Sequence, residues 1–454
     1  MYKMTACLIS LVVVLTACTP LSVPRQELIE SKGNEMQSND RLDIKNERLK
    51  KSLADNQENE RSRSEKWSED LDFYSCNLKS LHDDLYKNIS ETSFDAEVDL
   101  LKNRAHRLSD AQIAIELKQI TARIGDSHTQ LEIIPFLCDD FIPLKFAHID
   151  NEIYCVNTSD IYSDLLFKKI TRINGVESMT LFNGFMPLVE SENEIGKAYS
   201  ALAYLRLPDL YVAMGHSTSS DSLVVEYEES GQRVTRRVES LDFDALKTTD
   251  YMIDSPINNK LSFLDIFNDT YYWYDYDKLN KILFIHYNRC MDMPDYSFQA
   301  FSQDVWTFVD THTVDKLVLD LRYNTGGFPF LLDDFRVDLL KHKAYNSPEK
   351  LYVLTGNATF SAGVLSAATM KRLTNALIIG EPTSGSPNTF GRGQDIELPN
   401  SGISLRISSN YQEYYPNYDY KTLMPDVLIS RTLNDYKKGL DPVLEYILSQ
   451  EYKN

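Results

Sequence analysis

The fold of this 454-residue chain is decided by KLVLDLRYNTGG, residues 316–327. The stretch opens with a continuous apolar run, which predicts a strand buried on both faces, and two glycines then mark a turn directly after it. Strands and helices alternate around it. Further strands are predicted at 281–290, 351–356 and 376–381, and helices at 301–312, 329–342 and 361–373. Alternation of this kind, with apolar strands, predicts a largely parallel sheet with helices on its faces.

The residues before this unit have two other patterns. Apolar residues recur every three or four positions between 67 and 124, which predicts helices, and an alternating run at 130–137 predicts a strand. Short alternating segments between 141 and 242 predict a β-rich region. We therefore expect an α/β multidomain protein. Its predicted parts are an N-terminal helical domain (69–130), a β-rich domain (131–262) and a C-terminal α/β domain (263–454).

The N-terminus predicts export and lipidation. Lys3 precedes an apolar stretch of ten residues, LISLVVVLTA, which is too short to span a membrane but suits a signal peptide, residues 1–17. Small residues followed by Cys18 resemble the lipobox of bacterial lipoproteins, so Cys18 is the expected lipidation site. Polar residues 18–68 predict a flexible tether. We expect a protein anchored by lipid in the bacterial cell envelope, facing the periplasm or exterior.

Composition narrows the classes of partner. The formal net charge of -20 argues against nucleic acid or an anionic membrane surface as a partner. The sequence has no CxxC or HExxH motif and no Cys/His cluster, so no dedicated metal site and no cofactor are expected. Beyond the signal peptide and Cys18, four cysteines remain: Cys76, Cys138, Cys155 and Cys290. Cys138 and Cys155 could pair, although sequence alone leaves the connectivity open.

Three local features could carry chemistry. The Gly326–Gly327 turn could expose backbone N–H groups to an oxyanion, or could simply need positive φ. Ser361 lies at a strand-to-helix junction in TFSAG, where it could be a nucleophile or a helix N-cap. A serine nucleophile needs a base, and among eight histidines His128 stands out because it lies in the turn GDSHT.

Taken together, VLDLRYNTGG, TFSAG, IIGEPTSG, MPDV and IGDSHT resemble the tail-specific, or C-terminal-processing, serine peptidases, a family that includes the tricorn protease core. The resemblance extends from about residue 71 to the C-terminus. It implies a PDZ-like β-rich domain and a catalytic core of the ClpP/crotonase-like type. It also implies that Ser361 is the nucleophile, and that Gly326 or Gly327 together with Ala362 supplies the oxyanion N–H groups.

The base distinguishes two branches of that family. Members with a Ser–Lys dyad carry a lysine where this chain has Ser386, and no lysine occurs between Lys371 and Lys421. The tricorn-like branch takes its base from a Ser-His pair, which matches Ser127-His128 here. In that branch a carboxylate orients the histidine. The matching position is Asp419, with Glu413 as the alternative.

The expected function is therefore that of a serine peptidase acting on proteins or peptides through an acyl-enzyme. PDZ-like modules bind peptide ends by adding a strand to a sheet edge, although a clear carboxylate-binding loop is missing here. Two other functions stay open. One is a catalytically inactive lipoprotein of the same fold that binds peptides or an apolar ligand, and the other is an esterase acting on small acyl substrates.

Overall fold

The computed structural model describes residues 60–247, 249, 270–391 and 393–450. The predicted signal peptide, Cys18 and most of the predicted tether lie outside these residues. Within the described part, none of the helices combines the length and the apolar character needed to cross a membrane.

The first described region is helical, as the spacing of its apolar residues predicts. It consists of α1 (Glu60–Leu81), α2 (Glu91–Arg104), a 3₁₀ turn (Ala105–Arg107) and α3 (Asp110–Ile124). Helix α3 begins with a capping box between Ser109 and Gln112 and ends at Gly125, whose φ of 69° is left-handed. This glycine turns the chain sharply, so the residues that follow it leave the helix axis.

The region from 130 to 247 is rich in short strands. Its strands are β1 (Gln130–Glu132), β2 (Asp140–Phe141), β3 (Leu144–Ile149), β4 (Glu152–Thr158), β5 (Ile170–Ile173), β6 (Val176–Glu177), β7 (Ser222–Glu229), β8 (Gln232–Glu239) and β9 (Leu241–Asp242). Its helices are α4 (Ile134–Leu137), α5 (Ser178–Phe185), α6 (Glu194–Tyr204), α7 (Pro208–Ala213) and α8 (Phe243–Lys247), with 3₁₀ segments at Asp160–Leu165 and Met186–Leu188. Four of the strands form an antiparallel sheet in the order β6-β5-β7-β8.

The C-terminal region contains the sheet that the strand–helix alternation predicts. Its strands are β10 (Tyr272–Asp277), β11 (Ile282–Tyr287), β12 (Lys316–Asp320), β13 (Leu351–Thr355), β14 (Leu377–Gly380), β15 (Asn388–Gly391), β16 (Gln394–Glu397), β17 (Ser404–Ile407), β18 (Asn410–Glu413) and β19 (Val427–Leu428). Six of them are ordered β10-β11-β12-β13-β14-β19, and every pairing except β10 with β11 is parallel. Strands β12 and β13 are buried along their whole length.

Helices pack around this sheet. They are α9 (Phe298–Thr311), α10 (Asp333–Lys341), α11 (Ala362–Leu373), α12 (Leu433–Lys438) and α13 (Pro442–Ser449), with a 3₁₀ segment at Lys343–Tyr345. One hydrophobic core lies within the sheet unit and includes Leu319, Val353 and Val364. A second core includes side chains from the helical and β-rich regions, and Leu405 of β17 belongs to it.

Two expectations about the region around 130–155 are wrong. The predicted strand over 130–137 ends at Glu132, because Pro135 favours the first turn of helix α4. Strand β1 instead pairs with β17 in the C-terminal region. The suggested disulfide between Cys138 and Cys155 is not formed, and all four described cysteines are free thiols. Cys138 follows α4, whereas the thiol of Cys155 in β4 donates to the carbonyl of Asn157.

Candidate active site

His128 is held in place by the acidic residue two positions before it. The Oδ1 atom of Asp126 accepts the backbone N–H of His128 at 2.9 Å, and its Oδ2 atom lies 3.2 Å from Nε2 of His82. The Nδ1 atom of His82 accepts the backbone N–H of Asp84, so Nε2 carries the proton and donates to Asp126. The side chains of His82 and Asp126 are buried, and the two hydrogen bonds of Asp126 fix the turn that projects His128.

Ser361 has a strained backbone immediately before α11. Its φ of 49° and ψ of -126° lie where residues with a Cβ are rarely found. The side chain makes no capping hydrogen bond to the helix, so the N-cap interpretation does not describe this serine. Strain of this kind persists where the surrounding structure enforces it, and it is common at reactive residues.

The structure brings Ser361 and His128 together. Nε2 of His128 lies 3.1 Å from Oγ of Ser361, although the two residues are 233 positions apart. The imidazole also stacks on Phe360, with ring centroids 5.1 Å apart and an interplanar angle of 25°. A hydroxyl and an imidazole at this distance form the nucleophile–base pair that acyl transfer requires.

Burial keeps the base neutral. Desolvation lowers the pKa of His128 below its usual value of 6.5, the negative charges of Asp126 and Glu192 oppose this, and the positive charge of Arg406 adds to it. Burial alone would raise the pKa of Asp126, but hydrogen bonds from His82, from Thr129 and from the backbone N–H of His128 hold it below its usual value. At neutral pH the imidazole is therefore free to accept a proton and stands beside an ionised carboxylate.

The carboxylate on the far side of the imidazole belongs to Glu192. Its Oε1 atom accepts hydrogen bonds from the hydroxyls of Ser127 and Thr389, each at 2.8 Å. The same two hydroxyls lie 3.3 and 3.5 Å from Nδ1 of His128. Glu192 thus faces the ring nitrogen opposite Ser361 through two bridging hydroxyls.

Asp419 and Glu413, the residues expected to orient the histidine, do not reach it. Both are exposed. The hydrogen bonds described for His128 involve Asp126, Ser127, Ser361 and Thr389. Asp419 lies in a loop whose tyrosines stack on one another, Tyr415 on Tyr418 and Tyr418 against Tyr420, and this packing leaves its carboxylate in solvent.

The paired glycines lie against the nucleophile. Gly326 and Gly327 have φ values of 106° and 133°, so both need the freedom of glycine. A Cβ on Gly326 would lie 2.7 Å from Cβ of Ser361 and 3.1 Å from the backbone nitrogen of Ala362. A Cβ on Gly327 would collide with the carbonyl of Cys290.

Among the three residues predicted to supply oxyanion N–H groups, which are Gly326, Gly327 and Ala362, the N–H groups of Ala362 and Gly326 differ in whether they are free to bind an oxyanion. Ala362 is the first residue of α11, where a backbone N–H has no acceptor within the helix. The N–H of Gly326, in contrast, donates to Oδ1 of Asn324 at 2.9 Å. Asn324 is fully buried and its carbonyl accepts the N–H of Phe360 at 2.9 Å, so it ties the glycine turn to the nucleophile turn.

Ser386, the residue that the sequence resemblance aligns with the lysine of Ser–Lys peptidases, makes its hydrogen bonds within its own turn. Its hydroxyl donates to the carbonyl of Asn388 at 2.7 Å and accepts the N–H of the same residue at 3.2 Å. The preceding Gly385 lies against the nucleophile turn, since a Cβ there would be 3.1 Å from the nitrogen of Ser361. The segment of Gly385 and Ser386 therefore borders the site, but it forms a turn and supplies no catalytic base.

Sequence reasoning missed Glu192, Thr389 and His82. Glu192 lies in VESEN between predicted elements, and nothing in that acidic stretch separates it from Glu190 or Glu194. Asp126 could have been found, because a carboxylate two residues before the histidine in a tight turn commonly accepts its backbone N–H.

Comparison with known proteins places the fold. No protein-family model matches the chain. The similar solved structures include C-terminal-processing and related proteases. Mature CPAF matches with a TM-score of 0.58 at 13% sequence identity, over 85% of this chain and 96% of that chain. The photosystem II D1 C-terminal processing protease matches with a TM-score of 0.39 at 13% identity, over 84% of this chain and 95% of that one. The tricorn protease matches with a TM-score of 0.36 at 16% identity, over 84% of this chain and 36% of that one.

The chain therefore has the fold of CPAF across most of its length. The resemblance that the sequence motifs carry is confirmed for the fold, which mixes helices with several sheets. At 13% identity this similarity concerns the fold alone.

Proposed function

We propose that the protein is a serine peptidase that cleaves protein or peptide substrates through an acyl-enzyme. The observation that carries the proposal is the 3.1 Å contact between Nε2 of His128 and Oγ of a backbone-strained Ser361. The fold shared with the serine peptidase CPAF supports it. A protein that only bound ligands would have no need of a neutral, partly buried base aimed at a strained serine.

In the proposed reaction Ser361 attacks the carbonyl carbon of the scissile bond while His128 takes the hydroxyl proton on Nε2. The imidazolium then returns that proton to the leaving amine, and the acyl group stays on Ser361 as an ester. Water attacks this ester with His128 again as base, which releases the carboxylic acid and restores the serine. The lowered pKa of His128 keeps the imidazole ready for the first of these transfers.

The oxyanion would be held at the start of α11. The N–H of Ala362 and the positive end of the helix dipole both face developing negative charge there. Because Asn324 already holds the N–H of Gly326, we assign this glycine a steric role. Its missing side chain lets the glycine turn lie directly against Ser361 and the start of α11 without displacing them.

The proposal extends to the parts of the chain around the site. The antiparallel sheet of β5 to β8 supports a PDZ-like module, and the parallel sheet with the nucleophile at the start of a helix supports a ClpP/crotonase-like core. The division of the chain into these domains is part of the proposal. So is lipidation of Cys18, which would hold the enzyme in the bacterial cell envelope.

The test of the proposed function is active-site labelling. We expect a fluorophosphonate probe to label the wild type, and labelling to be absent in Ser361→Ala and strongly reduced in His128→Ala. Ser386→Ala is the matched control, since this buried serine borders the site without contacting the base. Mature CPAF has been solved with lactacystin, which makes lactacystin a suitable competitor in the same assay. Labelling that survives in Ser361→Ala would overturn the assignment.

Assays with a protein substrate and with small esters distinguish a peptidase from an esterase. We expect the wild type to cut an unstructured protein substrate into peptides that mass spectrometry identifies, and Ser361→Ala to leave it intact. Hydrolysis of small esters with no cut peptides would favour an esterase. For the anchor, Cys18→Ser should move the protein out of the membrane fraction, and an unchanged distribution would refute lipidation.

A further inference from the structure

Three donor groups from two segments of the chain converge behind the nucleophile. One donor atom each from Asp126, His128 and Glu192 lies within 4.8 Å of the other two. Asp126 and His128 come from the turn after α3, and Glu192 comes from the residues before α6. An imidazole and two carboxylates are a ligand set found at zinc sites in proteins.

One atom of this set lacks a partner. The Oε1 atom of Glu192 accepts from Ser127 and Thr389, whereas its Oε2 atom is buried and has no hydrogen-bond partner among the described residues. A buried carboxylate oxygen without a donor is costly, and a cation or a water would relieve the cost. Among the described residues, the charges that act on the imidazole are two carboxylates, Asp126 and Glu192, and one cation, Arg406. The negative charges therefore outnumber the positive one.

We propose that a Zn²⁺ ion binds between His128, Glu192 and Asp126 and switches the Ser361–His128 pair off. The switching rests on the proposed function, whereas the binding of the ion does not. Glu192 would ligate through Oε2 and keep its two hydroxyl hydrogen bonds on Oε1. The hydrogen bond from His82 orients Asp126, as outer-shell partners of metal ligands do.

The switch follows from which ring nitrogen the ion takes. Nε2 of His128 faces Ser361, and Nδ1 faces the hydroxyls bound to Glu192, so the ion would bind Nδ1. A ligating nitrogen carries no proton, and a neutral imidazole must then hold its proton on the other nitrogen. With Nε2 protonated, His128 can no longer accept the proton of Ser361. The tautomer shift itself releases no proton.

The geometry favours zinc over larger or harder cations. Zinc binds imidazole nitrogen and carboxylate oxygen at about 2.0–2.2 Å, which places tetrahedral ligands roughly 3.4 Å apart. The three side chains would therefore draw together from their present spacing, with water as the fourth ligand. Mg²⁺ and Ca²⁺ prefer shells made of oxygen ligands, and the imidazole makes this cluster a poor site for them.

Binding is tested without reference to activity, by calorimetric titration of the full chain with ZnCl₂. We expect one zinc ion per chain in the wild type, equal binding in Ser361→Ala, and binding weakened more than about tenfold in Glu192→Gln. Glu194→Gln is the matched control, because this neighbouring glutamate is exposed and pairs with Lys197. MgCl₂ and CaCl₂ should give no comparable heat. Absence of zinc binding, or equal binding in Glu192→Gln and Glu194→Gln, would overturn the site.

Folding and function are separated by two further measurements. Thermal unfolding of each variant shows whether Glu192→Gln is folded, and Asp126→Asn is the second ligand variant if it is not. Zinc should block fluorophosphonate labelling of the wild type at the concentrations that saturate calorimetry, and a chelator should restore labelling. Binding without any effect on labelling would overturn the switch. A wild type that is never labelled, with or without chelator, would instead contradict the proposed function while calorimetry still decides the site.

Discussion

Glu192 and His128 face each other across two hydroxyl groups. Ser127 and Thr389 each donate to Oε1 of Glu192 at 2.8 Å and lie 3.3 and 3.5 Å from Nδ1 of His128. The acidic charge is thus close enough to act on the imidazole electrostatically, with the hydroxyls between them as relays. Glu192 belongs to the segment that leads into α6, so the β-rich region contributes to a site whose nucleophile lies in the C-terminal region.

The first prediction concerns the pH dependence of Glu192→Gln. The negative charge of Glu192 raises the pKa of His128, so its removal should lower that pKa further. The acid limb of the profile of kcat/KM should therefore move to lower pH. The plateau should also fall by roughly tenfold or more, since the imidazolium loses a stabilising charge. Glu194→Gln should leave both unchanged, and an acid limb that moves to higher pH would contradict the assignment.

The second prediction concerns Gly326→Ala. The new methyl group would lie 2.7 Å from Cβ of Ser361, and alanine would have to adopt a φ of 106°. We expect the rate of hydrolysis to fall by roughly 100-fold, because small displacements of reacting groups have effects of that size. The free energy of unfolding should drop by about 1–3 kcal/mol from backbone strain.

Gly175→Ala is the matched control for this prediction. Its φ is 77°, and a Cβ there would meet nothing within 4 Å, so it introduces strain away from the site. Urea denaturation and hydrolysis, corrected for the folded fraction, separate the two effects. Activity in Gly326→Ala equal to that in Gly175→Ala would show that hydrolysis does not depend on the close approach of Gly326 to Ser361.

Much of the fold could be predicted because its signals are local. Apolar runs in the sequence predict the buried strands β12 and β13, and Ser109 and Gly125 mark the two ends of α3. The pairing of β1 with β17 could not be predicted, because strands so far apart in the chain are joined only by tertiary packing. The misassigned segment after β1 shows the same limit, since Pro135 outweighed the alternating pattern.

The candidate site divides along the same line. Ser361 and His128 each lie in a turn with a recognisable local pattern. Because position 386 is a serine and not a lysine, the sequence favours a histidine as the base. Glu192 carries no such pattern. Its position opposite His128 arises from how the β-rich region packs against the helices and the C-terminal strands, which one sequence does not reveal.

The third prediction concerns Arg322, a largely buried cation before the glycine turn. Arg322 makes a two-pronged contact with Asp320 and donates through Nη1 to Asp441 at 2.6 Å. Asp441 also caps α13 by accepting the N–H groups of Val443 and Leu444. Replacing Asp441 with Ala should lower the free energy of unfolding by about 3–5 kcal/mol, because it leaves part of a buried charge unpaired and removes a cap.

Asp441→Asn separates the two contributions in that test, since asparagine can still cap the helix without the charge. We expect a smaller loss of stability than in Asp441→Ala, measured by urea denaturation. Asp435→Ala, which removes the carboxylate that accepts the N–H of Thr432 in the exposed capping box of α12, should cost only about 1 kcal/mol. Equal losses in all three variants would show that the buried ion pair contributes nothing beyond capping.

The fourth prediction links stability to pH through His128. Because burial lowers its pKa below 6.5, the unfolded chain binds a proton at this residue more readily than the folded protein does. The contribution of neutral His128 to the free energy of unfolding is therefore fully present above pH 6.5, and it is lost as the pH falls below that value. The pKa of Asp126 is held below 3.8, so the contribution of Asp126 to stability is lost only at much lower pH.

Urea denaturation between pH 7.5 and about 5 should show a steeper decline of unfolding free energy in the wild type than in His128→Gln, which cannot titrate. Parallel declines in the two proteins would mean that His128 has the same pKa in the folded and unfolded states. Burial would then not explain why the imidazole is neutral.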